Sequence, residues 1–172
     1  MTPEFSRPIR IDTLGEGGRA VSIEAEPAER AALVQRFGLL ALDRLSAEAV
    51  LRREGDAILA DGRMKASVQQ ACVASGSPVP AMIDAPFVLR FVPEGGEVDE
   101  IELDAEDFDT IGYAGAAIDL GEAVAETLAL SLDPFPRAPD ADAVLRAAGV
   151  LSEDEVVSGP FAALQALKDK LE

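Results

Sequence analysis

Apolar and polar residues alternate along much of the N-terminal half, a pattern typical of strands with one buried face. The alternation predicts a first strand at residues 5–11 and a second at 20–25, joined by a glycine-rich turn. Over residues 42–73 it favours two long strands separated by a turn at Gly55-Asp56. A helix over 46–53 is an alternative, because alanine, leucine and glutamate favour helices.

Two further strands are predicted at residues 82–92 and 98–104, with the loop Glu94-Gly95-Gly96-Glu97 joining them as a hairpin. The apolar period then changes from two residues to three or four, which indicates helices. A first helix runs from Pro27 to a stop at Gly38. A second covers 119–132 and is capped by Asp119.

The predicted fold class is therefore α+β. We expect a mostly antiparallel β-sheet of about five or six strands, packed by the 27–37 and 119–132 helices, plus a short C-terminal helix. Residues 1–136 are predicted to form a single α+β domain. Residues 137–172 are predicted to be a mobile connection, with a short helix at 141–148, followed by an amphipathic helix.

Composition argues against catalysis and against a metal site. The chain has no histidine, which removes the commonest general base and the commonest metal ligand. Its single cysteine, Cys72, can form neither an internal disulfide nor a thiolate zinc cage. No signal-peptide or membrane-spanning pattern is evident. We expect a cytoplasmic protein that is not an enzyme and carries no cofactor.

Charge is the strongest compositional signal. The chain carries 32 acidic against 15 basic residues, a formal net charge of −17, and residues 91–136 contain no lysine or arginine. Such a surface repels phosphate and attracts basic partners. The predicted partner-binding residues are Glu97, Asp99, Glu100, Glu102, Asp104, Glu106, Asp107 and Asp109. A solvated strand face without any partner is the alternative interpretation, and the spacing does not fit a calcium-binding loop.

Several motifs in order and at characteristic spacing cover most of the chain. They include Gly62-x-x-x-Ala66-x-Val68-x-Gln70-x-Cys72-Val73, Phe87-x-Leu89-x-Phe91, Ile118-Asp119-Leu120 and Pro134-x-Pro136. This order resembles the YceD family of large ribosomal RNA subunit accumulation proteins. The residues that carry the resemblance are Gln70, Cys72, Pro78, Val79, Asp119, Pro160 and Phe161. Many relatives have two cysteine pairs suited to zinc, whereas this chain has Gln69 and no cysteine in 137–140, so the resemblance implies a metal-free branch.

The resemblance implies a non-enzymatic factor in large ribosomal subunit biogenesis and 23S rRNA accumulation. Combined with the charge, it points to a basic ribosomal protein or a pre-50S particle as partner, with limited RNA contact and no membrane or DNA binding. The alternative is a direct rRNA-binding adaptor that uses arginines of the nearly neutral N-terminal part: Arg7, Arg10, Arg19, Arg36 and Arg44. A hydrolase acting through paired carboxylates has no supporting constellation.

Overall fold

The computed structural model describes residues 3–94 and 109–150. Within these residues the chain forms seven strands and three α-helices. The elements are β1 (Pro8–Arg10), β2 (Arg19–Glu24), α1 (Pro27–Phe37), β3 (Ala41–Glu54), β4 (Ala57–Ala71), β5 (Pro78–Pro93), β6 (Asp109–Tyr113), β7 (Ala117–Asp119), α2 (Leu120–Ser131) and α3 (Ala141–Ala147), with a 3-10 turn at Ile11–Thr13.

The main sheet has five strands in the order β2-β3-β4-β5-β6, and β1 pairs with β7 in a separate two-stranded sheet. The α+β prediction is confirmed. The prediction of a mostly antiparallel sheet is wrong, because the sheet is mixed: β6 runs parallel to β5, with Leu89 opposite Asp109. Residues 95–97 of the predicted hairpin loop lie outside the described residues, so that hairpin stays a prediction. The predicted strand at 98–104 lies outside the described residues.

Strands β3 and β4 form a long hairpin whose inner face is apolar. Leu45, Ala47, Ala49 and Leu51 are buried and alternate with exposed or half-buried neighbours, so the helical alternative for 46–53 is wrong. A two-residue turn follows β3, and Gly55 there has a φ of 61°, which a glycine adopts without strain. Two long strands were therefore predictable from period-2 alternation alone.

The two main helices begin and end at local signals. Pro27 opens α1, and the Glu29 side chain accepts the backbone N–H of Glu26 at 2.7 Å. Gly38 ends α1 with a φ of 64°, as the sequence predicts. Helix α1 packs on β3, whereas α2 contacts β1, β4 and β5. Both helices thus cover the inner face of the sheet.

The core lies between that face and the helices. Its largest fully buried side chains are Phe5, Leu33, Leu45, Leu51, Ile58, Met64, Val68, Phe91, Ile118, Leu120, Val124 and Leu128. They come from both ends of the described chain. The first predicted strand, 5–11, is only partly correct, because Phe5 is a core residue but only Pro8–Arg10 pairs as a strand, and it pairs with β7.

Prolines mark the part of β5 that has no described strand on its outer side. Strand β6 pairs only with Leu89–Pro93, while Pro78, Pro80 and Pro86 lie in the remaining part of β5. A proline has no N–H to donate to a neighbouring strand, so it is tolerated on an edge and discourages further pairing. Because an edge strand tolerates these prolines, β5 begins at Pro78 and is longer than the strand predicted at 82–92.

Candidate functional site

Hydrogen bonds tie the end of β4 to the segment that follows α2. The Gln70 side-chain Nε2 donates to the backbone carbonyl of Asp133 at 2.9 Å. The backbone N–H of Val73 donates to the carbonyl of Pro136 at 2.9 Å. Two stretches separated by about sixty residues in sequence thus run beside each other. We refer to this contact region as the β4 end.

Cys72 lies at the centre of the β4 end and is buried, with 3% of its surface exposed. Its backbone N–H donates to the carbonyl of Ser77, and its carbonyl accepts the N–H of Gly76, each at 2.8 Å. Ala138 and Ala141 form a small buried cluster with Cys72, against which Val79 packs. The cysteine therefore joins the loop after β4 to the start of α3.

The Cys72 sulfur accepts hydrogen bonds from neighbouring groups. The backbone N–H of Ala138 contributes most, followed by the Ser75 side chain, and together they lower the pKa of the Cys72 thiol from 9.0 to about 7. A structural zinc ion needs four ligands, and this site supplies one thiol. Among the described residues no group of three histidine, cysteine or carboxylate side chains could hold a metal ion. The site does not fit zinc.

Asp119 occupies the opposite end of α2 and joins three segments. Its Oδ1 accepts the backbone N–H of Glu122 at 3.2 Å, which caps α2 as predicted. The same carboxylate accepts the backbone N–H of Arg7 at 2.8 Å and the hydroxyl of Ser6 at 2.5 Å. The carboxylate thereby fixes the segment before β1 against the start of α2.

Two arginines complete the connection between α1 and the rest of the fold. Arg7 forms a two-point ion pair with Glu29, at 2.6 and 2.8 Å, and its guanidinium lies 4.7 Å from the centre of the Phe5 ring. The hydrogen bond from Arg7 lowers the pKa of the Glu29 carboxyl. Arg36 donates to both oxygens of Glu122 at 2.8–2.9 Å, and this contact raises the pKa of Arg36. Both guanidinium groups therefore stabilise the contacts between α1 and the neighbouring segments.

The β4 end, Asp119 and α2 all fall within one stretch of recognisable sequence. Residues 60–168 match the family described as large ribosomal RNA subunit accumulation protein YceD. The match covers more than half of the 172 residues. The chain belongs to the YceD family. No curated protein and no solved structure matches it. The resemblance carried by the sequence motifs is thereby confirmed.

The motif residues of this YceD family member fall into separate groups. Gln70, Cys72 and Val79 meet at the β4 end, and Pro78, which is exposed, begins β5 beside them. Asp119 lies at the other end of α2. Pro160 and Phe161 lie outside the described residues. The structure thus brings four of the seven motif residues into one region, where they hold the loop after β4 in place.

The predicted partner-binding residues fall almost wholly outside the described part of this YceD protein. Asp109 is the exception: it begins β6 and is exposed. The remaining seven, from Glu97 to Asp107, belong to the stretch 95–108, so their role stays a prediction. Their acidity is a property of the sequence itself.

Most of the arginines proposed for RNA contact form intramolecular contacts. Besides Arg7 and Arg36, Arg10 pairs with Asp12 at 2.5 Å, and Arg44 lies 3.7 Å from Glu24. Arg19 donates to the Thr13 hydroxyl. Phosphate would have to compete with these partners, which argues against the arginines as a ready-made RNA track.

Sequence reasoning missed the partners that position the site residues. Ser75 and Ala138 hold the Cys72 sulfur, and Ser6 holds Asp119. Ser75 is close to Cys72 in sequence, so a loop hydrogen bond was within reach of prediction. Ala138 acts through its backbone N–H and gives no sequence signal.

Within residues 3–94 and 109–150, no helix is long and apolar enough to cross a membrane.

Proposed function

We propose that this YceD family member is a non-enzymatic, cytoplasmic factor that supports accumulation of large-subunit ribosomal RNA by binding a basic ribosomal protein through its acidic surface. Family membership supports the process, which is accumulation of large-subunit ribosomal RNA. The run of residues 91–136 without a lysine or arginine supplies the class of partner, and it is the observation that carries the proposal.

The proposed mechanism is electrostatic screening. A basic ribosomal protein that has not yet met rRNA attracts any polyanion, and an acidic protein can occupy its positive surface until rRNA replaces it. At physiological ionic strength, charges farther apart than about 8 Å are largely screened, so the exchange requires close contact. Binding of this kind is fast and salt-sensitive, which suits a temporary partner.

Direct RNA binding is the weaker alternative. It would need a basic track, whereas Arg7, Arg10, Arg36 and Arg44 each contact a carboxylate of the same chain. Removing Arg7 or Arg36 would also disturb the contacts of α1 with its neighbours, so a loss of RNA binding in those two variants would be ambiguous. The net charge of −17 opposes approach to a phosphate backbone.

A pull-down at graded salt tests the proposal. The tagged full-length chain is incubated with cell lysate treated with ribonuclease, and retained proteins are identified by mass spectrometry. We expect basic large-subunit proteins at low salt and their release as salt rises. The variant that replaces Asp99, Glu100, Glu102 and Asp104 by their amides should retain much less.

A matched control separates the acidic segment from net charge. Neutralising Glu16, Glu48, Asp56 and Asp61, which are exposed and lie outside the acidic segment in sequence, changes the net charge equally and should leave retention close to that of the unaltered chain. If the unaltered chain retains no basic ribosomal protein even at the lowest salt, the proposal fails.

A further inference from the structure

Four exposed large apolar side chains belong to segments that meet at the β4 end. Leu40, Val73, Leu130 and Phe135 are 49%, 58%, 81% and 73% exposed. Single exposed apolar side chains are ordinary, but a group of them on one surface marks a place where another molecule binds. We call these four residues the apolar end patch.

Backbone hydrogen bonds bring three of the four positions together. The N–H of Leu40 donates to the carbonyl of Gln69 at 2.8 Å, near the end of β4. The N–H of Val73, just beyond β4, donates to the carbonyl of Pro136 at 2.9 Å. Phe135 directly precedes Pro136, so the segments that carry Leu40, Val73 and Phe135 adjoin one strand end.

Leu130 joins the patch from α2. It lies in the last turn of that helix, three residues before Asp133, whose carbonyl accepts the side-chain N–H of Gln70 at 2.9 Å. Leu128, by contrast, is fully buried under the helix. The exposed side of the last turn of α2 therefore faces away from the core and extends the patch.

Exposed carboxylates lie close in sequence to the residues of the patch, and their charge indicates what the patch binds. Glu126 precedes Leu130 by one helical turn, and Asp133 lies between Leu130 and Phe135. Four exposed acids near the patch have no ion-pair partner among the described residues: Asp43, Glu126, Asp133 and Asp140. The two bases nearest to these acids in sequence each have an acidic neighbour: Arg137 is paired with Asp142 at 2.5 Å, and Arg44 lies 3.7 Å from Glu24. An apolar centre with an acidic rim complements a basic segment that carries apolar anchors.

We propose that the apolar end patch binds a segment of the basic ribosomal protein in which leucine, isoleucine or aromatic side chains are flanked by lysine or arginine. This inference rests on the proposed function and adds a second, apolar point of contact to it. Asp109, the described end of the acidic segment, lies opposite Leu89, nine residues along β5 from Pro80. At about 3.3 Å per residue, Asp109 therefore lies about 30 Å along β5 from the strand end beside the patch.

Two contact points with different chemistry respond differently to salt. Raising the salt to about 0.5 M shortens the screening length to roughly 4 Å and weakens the acidic contact, whereas apolar burial is not screened. The binding that remains at high salt should depend on the apolar end patch. Contact with the apolar end patch also fixes the position of the partner, which charge attraction alone does not.

The test compares the full chain with a double variant, Leu130→Ser with Phe135→Ser. The probe is total protein extracted from large ribosomal subunits and freed of rRNA, with each bound component identified by mass spectrometry and titrated. We expect about tenfold weaker binding by the double variant at high salt, because buried aromatic and aliphatic anchors dominate interfaces. Val50→Ser is the matched control: Val50 is 47% exposed on β3, far from the β4 end, and its replacement should leave binding unchanged.

The outcomes separate the two proposals. If the unaltered chain binds basic ribosomal proteins and the double variant binds them equally at every salt concentration, the patch inference is wrong and the proposed function stands. If the unaltered chain binds none, the proposed function fails, and the inference fails with it. A dimer that the double variant converts to a monomer in sedimentation would assign the patch to a second copy and overturn the inference. Unaltered urea unfolding of the double variant establishes that it folds.

Discussion

Loss of the Asp119 carboxylate should weaken the fold, because that one group holds three donors from two segments of the chain. Its half-buried carboxylate accepts hydrogen bonds from the backbone N–H groups of Glu122 and Arg7 and from the Ser6 hydroxyl. The alanine variant Asp119→Ala removes all three at once. It leaves two N–H groups and one hydroxyl in a partly buried place without their acceptor.

The expected loss follows from these contacts. Removing a helix N-cap costs about 1 kcal/mol, and each of the other two hydrogen bonds contributes about 0.5–1.5 kcal/mol. The free energy of unfolding should therefore fall by about 2–4 kcal/mol. For a chain of this size, that loss lowers the midpoint of thermal unfolding by roughly 5–15 °C.

Asparagine provides the matched control at position 119. Its side-chain oxygen can still accept the two backbone N–H groups, and its amide N–H can donate to the Ser6 hydroxyl. Asp119→Asn should cost less than about 1 kcal/mol. Urea unfolding followed by circular dichroism measures all three proteins, with equal slopes taken as the sign of a common unfolded state. An alanine variant that loses under 1 kcal/mol, or an asparagine variant that loses as much as alanine, would refute the reasoning.

Further predictions concern the sheet and Cys72. A Cβ at Gly62 would lie 2.5 Å from the Glu48 carbonyl oxygen and 2.6 Å from the Phe87 ring, so Gly62→Ala should cost about 1–3 kcal/mol in urea unfolding. Gly15→Ala, with no atom within 4 Å of its added Cβ, should change little, and equal losses would contradict this packing. The pKa of the Cys72 thiol is lowered from 9.0 to about 7. The hydrogen-bonded thiolate therefore stabilises the fold fully above pH 9, and this stabilisation is lost as the pH falls through 7. Under reducing conditions, the stability of the unaltered chain relative to Cys72→Ala should therefore rise between pH 7 and pH 9, and a flat difference would speak against the hydrogen bonds to the sulfur.

The elements that sequence predicted well depend on local signals. Helix α1 begins at a proline and ends at Gly38, and α2 begins at Asp119, so each boundary is set by one or two neighbouring residues. Strands β3 and β4 were predictable because their buried positions alternate over the whole hairpin.

The features that sequence missed depend on distant partners or on edge position. Strand β6 has only five residues, including Gly112, and nothing in them signals parallel pairing with β5. The prolines of β5 signal a break, but at an edge they are compatible with a strand. The contact between Cys72 and the backbone of Ala138 joins positions sixty-six residues apart through an N–H that every residue except proline possesses.

The sequence identified the motif residues of the candidate site, but it did not predict which contacts they make. Gln70 and Cys72 were identified by their order in the motif, whereas their contacts with the segment after α2 needed the fold. Arg7 and Arg36 were candidates for RNA contact, yet both join α1 to the neighbouring segments. A lone arginine in sequence does not reveal whether a carboxylate of the same chain already occupies it.

The most direct measurement of the central claim is a paired binding titration. One basic large-subunit protein retained in the pull-down and one fragment of 23S rRNA are each labelled and titrated with the unaltered chain over a range of salt. We predict saturable binding of the protein that weakens as salt rises, with much weaker binding of the rRNA fragment under the same conditions. Binding of the rRNA fragment without binding of the protein would contradict it.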